Sequence, residues 1–143
     1  MTVLADTAVW SLFFRRPEAH LSPGEKAIRN ELAELIQEQR AQLIGPVRQE
    51  VLSGLREEAH FHRLRHSLRA FPDPAITIED YDLAAEYYNR CRASGIVGSA
   101  PTDLLICAVA ARRDWQIFTT DRDFGNYARR LPIAFYKLRA SSN

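Results

Sequence analysis

Four acidic residues are the candidates for chemistry in this sequence: Asp6, Glu50, Asp103 and Asp121. Each lies beside an apolar segment that has no evident need for a charged side chain. Two carboxylates about 4 Å apart repel each other by about 1 kcal/mol in water and about 4 kcal/mol near a protein surface. A fold that gathers all four therefore needs a divalent cation to hold them together. Such an arrangement suggests metal-assisted phosphodiester chemistry.

Each acid also has a purely structural explanation. Asp6 and Asp121 are in position to cap the helices expected after them. Asp103 would complement the dipole in the first turn of a helix. Glu50 would be an ordinary solvated side chain. The functional interpretation rests on the joint pattern, because all four fall where one pocket can form.

The elements that must position these acids alternate between short apolar strands and helices. We expect strands at residues 3–5, 42–44, 115–118 and 133–138. We expect helices at 7–14, from Pro23 onwards, through 45–55, over 56–69, after Thr77, over 102–112 and at 123–130. This alternation predicts an α/β sandwich around a parallel sheet, in a single domain spanning residues 1–143.

Several helix starts carry specific signals. Ser22 should cap a helix with Pro23 at its first position and Glu25 three residues after the cap. Glu31 should point outward on that helix. Thr77 and Thr102 should cap two later helices. The buried side of the helix after Thr77 is expected to comprise Tyr81, Ala84, Ala85, Tyr88 and Cys91.

The predicted sheet brings the acids to one edge. Ligands of open parallel sheets bind beyond the carboxyl ends of the strands, and Asp6 and Asp121 each follow such an end. Asp103 begins the most apolar helix of the chain. Glu50 lies one helical turn from the apolar Val47 and therefore flanks the buried side of its helix.

Four segments of the chain, which include these acids, resemble the PIN domain family. The resemblance extends in order over essentially the whole chain, and the chain length suggests the VapC-type toxins of toxin–antitoxin pairs. The TTDRDF element is the most specific part. The segments are 3–7 (VLADT), 50–55 (EVLSGL), 102–110 (TDLLICAVA) and 117–124 (IFTTDRDF).

This resemblance implies a three-layer α/β/α sandwich with a short-stranded, mainly parallel sheet. It also implies a Mg²⁺- or Mn²⁺-dependent endoribonuclease that hydrolyses single-stranded regions of RNA. Asp6 and Asp103 would be direct metal ligands, and Glu50 and Asp121 would ligate a second ion or hold water. Thr119 would be the polar residue of the motif. Asp123 is either a fifth acid or a cap for the last short helix.

The resemblance also implies partners. A free toxin nuclease would harm its own cell, so we expect a cognate VapB-type antitoxin whose tail covers the acidic pocket. We further expect a homodimer. The RNA substrate remains open among transfer, ribosomal and messenger RNA. Trp10, Phe13 and Phe14 are either part of the core or part of a protein interface.

Other functions fit less well. A haloacid-dehalogenase-type phosphotransferase needs a second Asp where this chain has Ala8, and a receiver domain needs a late-strand lysine for which only Lys137 is available. The serious alternative is a PIN fold that binds RNA or acts as a scaffold without nuclease activity. The turn at residues 112–115 lacks the glycine common in the family.

Composition adds a few limits. The net charge is +1, and 17 of the 19 basic groups are arginine, which suits phosphate binding but also follows from GC-rich coding. We expect a cytoplasmic protein with no membrane segment, because no apolar run is long enough and no signal sequence is evident. Cys91 and Cys107 should be reduced thiols.

The segment 56–69 is rich in arginine and histidine and has three interpretations. His62 and His66 are spaced to share a helix face and bind zinc, although no third ligand is apparent. A solvated basic face is the plain alternative. The third is contact with the RNA backbone near Glu50.

Overall fold

The structure is a computed structural model, and it describes residues 1–139. In this part of the chain, short strands alternate with seven α helices and one 3₁₀ helix (Glu18–His20). The strands are β1 (Val3–Ala5), β2 (Ala41–Gln42), β3 (Gln116–Phe118) and β4 (Ala134–Phe135). The helices are α1 (Thr7–Phe14), α2 (Pro23–Gln37), α3 (Gly45–Leu52), α4 (Glu58–Leu68), α5 (Ile78–Ala93), α6 (Pro101–Arg113) and α7 (Asp123–Ala128).

Within residues 1–139 the four strands form one sheet in the order β2-β1-β3-β4, and every pair is parallel. Leu4 on the central strand β1 lies between Gln42 and Ile117 in the register. The ladder continues past β1, where the Asp6 amide donates to the Phe118 carbonyl at 3.0 Å. The segments that follow β1 and β3 therefore leave the sheet side by side.

Helices cover both faces of this sheet. Val3, Leu4 and Ala5 are all 0% exposed, although successive side chains of a strand point to opposite faces. Both faces of β1 must therefore be packed against other elements. This arrangement confirms the expected α/β/α sandwich with a short-stranded parallel sheet.

Helix α6 carries much of the core. Residues 104–110 are buried without interruption, as the apolar sequence predicted. The predicted cap was wrong, because Ala100 is the N-cap and Thr102 lies inside the helix. Pro101 occupies the first turn, where its missing N–H costs nothing, so the helix starts earlier than expected.

The edges of several predicted elements also differ. Leu43 and Ile44 are fully buried but lie beyond β2, because a short buried apolar run does not distinguish a strand from a buried connection. Helix α3 ends at Leu52, before residue 55. The last strand covers only Ala134–Phe135 of the predicted segment 133–138, and α7 ends at Ala128.

Two acids are buried against expectation: Glu31 was predicted to be solvated, and no prediction was made for Asp80. Glu31 on α2 was expected to face solvent, but it accepts hydrogen bonds from Tyr136 and Arg139, which follow β4. Asp80 on α5 is 0% exposed. The fully buried residues of α5 are Asp80, Tyr87 and Cys91. Of the predicted buried side, Cys91 is confirmed and Ala84 and Tyr88 pack partly buried against the core, whereas Tyr81 and Ala85 are exposed.

The turn after α6 that lacks glycine nevertheless adopts a glycine-like conformation. Asp114 is the C-cap and has a φ of 57°, in the left-handed region, which aspartate tolerates better than most residues. The departure from the family pattern is therefore absorbed locally.

No helix in residues 1–139 has both the length and the apolar character needed to cross a membrane. Cys91 and Cys107 are both buried free thiols, in agreement with their expected reduced state.

Candidate metal centre

Asp6 combines a structural role with a place at the candidate site. It is the N-cap of α1, and its Oδ1 accepts a hydrogen bond from the Val9 amide at 3.0 Å. Its Oδ2 accepts one from the Thr119 hydroxyl. Burial raises the pKa of Asp6, the bonds from Thr119 and Val9 oppose that rise, and the charge of Asp121 adds to it. The capping interpretation is confirmed, and it also fixes the carboxylate at the sheet edge.

Asp103 lies in the first turn of α6, half-buried beside the ends of β1 and β3. Its Oδ2 accepts a hydrogen bond from the Tyr127 hydroxyl at 3.1 Å. The pKa of Asp103 is raised to about 6, mainly by burial, while the Tyr127 bond lowers it. The charges of three other acids raise it further, namely Asp121, Asp6 and Glu50.

A tight turn after β3 supplies the remaining acids. The Asp121 amide donates to Thr119 Oγ1, and the Asp123 amide donates to Asp121 Oδ1, both at 2.9 Å. Helix α7 starts at Asp123, and the preceding residue, Arg122, makes no side-chain cap bond. The Asp121 carboxylate caps this helix start through the Asp123 amide, as its structural interpretation predicted, whereas Asp123 lies inside the helix. Asp103, Asp121 and Asp123 each offer an oxygen within 4.8 Å of the others.

Glu50 lies at the margin of this group. It is exposed on α3 and accepts a hydrogen bond from the Thr7 hydroxyl at 2.9 Å. It is not among the three acids that meet within 4.8 Å, although its charge raises the pKa of Asp103. The structure thus brings Asp103, Asp121 and Asp123 closest together. Asp6 is tied to them through Thr119, and Glu50 is electrostatically coupled at the edge.

The donor set fits a hard divalent cation. Every member of the close group is a carboxylate, and hard oxygen ligands suit Mg²⁺ and Mn²⁺ better than zinc. Burial, and then the neighbouring acids, disfavour ionisation of Asp103 and raise its pKa. A cation between these oxygens would offset that repulsion.

Two hydroxyl partners of the acids were missed in the sequence. Thr7 bonds Glu50 across 43 residues, and Tyr127 bonds Asp103 across 24 residues. Neither residue belongs to a periodic pattern with its partner, so only the folded chain reveals the pairs. The position of Thr7 directly after Asp6 was the one available signal.

The aromatic cluster near Asp6 belongs to the core. Trp10 is 0% exposed and packs edge-on against Phe71, with ring centroids 5.0 Å apart. Phe14 stacks on Trp10 at 5.9 Å. Of the two interpretations of these residues, burial favours the core.

The basic helix α4 presents its charges to solvent. Leu64 and Leu68 face the core, whereas four arginines of the segment are exposed and form no ion pair within residues 1–139. His62 pairs with Glu58 at 3.4 Å. Neither His62 nor His66 joins a three-ligand group in the described residues, which argues against zinc. The exposed arginines are Arg56, Arg63, Arg65 and Arg69.

Comparisons with known proteins agree with this geometry. The family model described as PIN domain matches residues 3–130. The structure of FitAcB from Neisseria gonorrhoeae is similar, with a TM-score of 0.71, 19% identity, and coverage of 95% of this chain and 97% of that chain. So is VapBC2 from Rickettsia felis bound to a promoter DNA fragment, with a TM-score of 0.66, 14% identity, and coverage of 95% and 98%. No curated protein matches the sequence significantly.

Proposed function

Because this chain belongs to the PIN domain family, we propose that it is a metal-dependent endoribonuclease toxin of a type II toxin–antitoxin pair, of the VapC type. The observation that carries the proposal is the meeting of Asp103, Asp121 and Asp123 within 4.8 Å at the edge where Asp6 also lies. The fold shared with FitAcB and VapBC2 supports the toxin part of the proposal.

The proposed cofactor is Mg²⁺ or Mn²⁺. When bound, the ion would lower the pKa of an attacking water and offset negative charge on the scissile phosphate of RNA. Asp6 and Asp103 are the proposed direct ligands, and Glu50 and Asp121 would hold a second ion or position water. Asp123 joins this set because its carboxylate lies in the close group.

Hydroxyl groups of the chain orient these carboxylates. Thr119 donates to Asp6 Oδ2 and accepts from the Asp121 amide, so one side chain fixes two acids relative to each other. The Thr7 hydroxyl donates to Glu50 Oε2 and orients that carboxylate. Ordered ligands reduce the entropy lost when the site closes on an ion and a phosphate.

Loss of one direct ligand tests the proposal. We expect Asp6→Asn and Asp103→Asn to reduce Mg²⁺-dependent cleavage of single-stranded RNA by at least about 100-fold, because a neutral amide is a poorer ligand. Circular dichroism should show an unchanged fold. Asp82→Asn on the exposed face of α5 is the matched control and should cleave like the wild type.

The same assay separates the nuclease from the alternative module. Cleavage in Mg²⁺ that stops in EDTA supports the enzyme. RNA binding without cleavage under both conditions would favour an RNA-binding or scaffolding PIN domain. Full activity of either purified ligand variant would refute the assignment of the site.

We also propose a VapB-type antitoxin, a homodimeric toxin and action in the cytoplasm on transfer, ribosomal or messenger RNA. The cluster of carboxylates supports the first partner, since an arginine of an antitoxin tail would neutralise it. A neighbouring short gene whose product blocks cleavage would identify the antitoxin, and cut sites mapped in total RNA after induction would identify the substrate.

A further inference from the structure

Tyr127 is a buried residue beside the acids that the proposed function has not used. It lies on the short helix α7, is 1% exposed, and packs edge-on against Phe124 with ring centroids 5.3 Å apart. Its hydroxyl reaches out of this apolar packing and donates to Asp103 Oδ2 at 3.1 Å.

The hydrogen bond constrains the Asp103 carboxylate in a specific way. Oδ2 is held by a donor whose ring is enclosed by core residues. Within residues 1–139, Oδ1 accepts no hydrogen bond from the protein. One oxygen of Asp103 is thus fixed and the other remains available for a ligand.

The bond also connects two parts of the site. Asp103 lies in the first turn of α6, whereas Tyr127 is on α7, the helix that starts with Asp123. The preceding turn holds Asp121 through the Asp123 amide. The Tyr127 hydroxyl therefore sets the distance between the two elements that supply the three closest carboxylates.

We propose that Tyr127 is a positioning residue of the metal centre, whose buried hydroxyl holds one oxygen of Asp103 and leaves the other available to a divalent cation. This inference rests on the proposed function. Removing a hydrogen-bonding partner of a metal ligand typically weakens metal binding by about 10- to 100-fold.

The chain contains a matched control for this role. Tyr136 also donates its hydroxyl to a partly buried carboxylate, that of Glu31, where Arg139 completes the network. Tyr136→Phe removes a bond of the same chemical kind outside the acidic site. Tyr127→Phe keeps the ring and its contact with Phe124.

The test is the affinity of the purified full chain for Mn²⁺ alone, measured by electron paramagnetic resonance. We expect Tyr127→Phe to weaken binding by at least about 10-fold, and Tyr136→Phe to change it by less than about twofold. In the nuclease assay, Tyr127→Phe should raise the Mn²⁺ concentration for half-maximal activity and leave the rate at saturating Mn²⁺ nearly unchanged. A purely structural role would not produce that separation.

Mn²⁺ affinity of Tyr127→Phe equal to the wild type would overturn the inference and leave the proposed function intact. Absence of Mn²⁺ binding by the wild type would overturn both. Should Tyr127→Phe not fold, nuclear magnetic resonance of the wild type decides. Substoichiometric Mn²⁺ should broaden the ring signals of Tyr127 before those of Tyr136, and equal broadening would overturn the inference.

Discussion

Asp80 and Asp103 carry the same side chain in opposite electrostatic surroundings. Asp80 is 0% exposed, yet hydrogen bonds from Arg112 and Arg113 hold its pKa well below the usual range. Asp103 is half-buried, and its pKa rises to about 6, first because of burial and further because its charged neighbours are other acids. Arginine donors therefore outweigh the cost of burial at Asp80, whereas no cation in the described residues offsets that cost at Asp103.

This difference predicts how pH affects the metal-free protein. A folded pKa of about 6 lies above the ordinary value of 3.8 for Asp103, so the folded state binds the proton more tightly than the unfolded state does. The contribution of Asp103 to stability is therefore lost as pH rises through this window. Asp103→Asn stays neutral and should avoid that loss.

We expect Asp103→Asn and the wild type to have similar melting temperatures in EDTA near pH 4, and the variant to be more stable above about pH 6.5. Differential scanning calorimetry across this range measures the difference. Saturating Mg²⁺ at the higher pH should reverse the order, since only the wild type retains the ligand. A constant difference at all pH values would contradict the raised pKa.

At this scale the sequence allows the acids to be identified but not their partners. Asp6, Asp103 and Asp121 follow strands or begin helices, and that position is readable from the pattern. Tyr127 and Thr7 are not, because a tyrosine in an apolar segment and a threonine in a first turn have ordinary structural uses. Their importance depends on contacts across 24 and 43 residues.

Among the elements, the pair α5 and α6 is joined by a buried ionic network. Thr77 and Asp80 form a capping box at the start of α5. Arg113 donates to both oxygens of Asp80, at 2.8 Å and 2.9 Å, and Arg112 adds a third bond at 2.7 Å. The start of α5 is thereby attached to the end of α6, the helix whose first turn carries Asp103.

Removing the carboxylate from this network should be costly. We expect Asp80→Ala to lower the free energy of unfolding by about 3–5 kcal/mol, because it leaves Arg113 partly buried without its counter-charge. Asp82→Ala, on the exposed side of the same helix, should change it by no more than about 0.5 kcal/mol. Urea denaturation measures both variants.

Equal effects of Asp80→Ala and Asp82→Ala would show that the network adds nothing beyond helix propensity. The low pKa of Asp80 adds a second check on the sign. Its stabilising contribution is present at neutral pH and is lost only in strong acid. The difference between wild type and Asp80→Ala should therefore stay constant between about pH 5 and pH 8.

Among the features of the elements, helix starts could be predicted best from the sequence. Ser22 with Glu25, and Thr77, form the expected caps because the bonds are local. The limits of the strands and the burial of Asp80 on α5 were not accessible. The strands are two or three residues long, too short for a periodic signal, and a buried acid such as Asp80 reverses the polarity on which the pattern depends.

On the scale of the whole molecule, a net charge of +1 conceals a separation of charges. The acids Asp6, Asp103, Asp121 and Asp123 gather at one edge of the sheet, and Glu50 on α3 lies at their margin. The exposed arginines of the next helix, Arg63 and Arg65 on α4, have no acidic partner in the described residues. Helices α3 and α4 are in contact, so the helix that carries Glu50 packs against the helix that carries Arg63 and Arg65.

Under the proposed function, the exposed arginines of α4 would contact the RNA backbone while one phosphate enters the acidic site. We expect Arg63→Glu/Arg65→Glu to weaken the binding of single-stranded RNA in EDTA by at least about 10-fold at low salt. Each lost phosphate contact should reduce the slope of log K against log salt by about 0.7. Fluorescence anisotropy at several salt concentrations measures both quantities.

The matched control is Arg90→Glu/Arg92→Glu on α5, which changes the net charge by the same amount on exposed residues of another helix. An equal loss of affinity in both double variants would indicate a general charge effect without a defined contact surface. Unchanged affinity after the α4 substitutions would leave α4 a solvated basic face. A loss confined to Arg63 and Arg65 would instead place the substrate strand on α4, since only a local contact distinguishes two proteins of equal net charge.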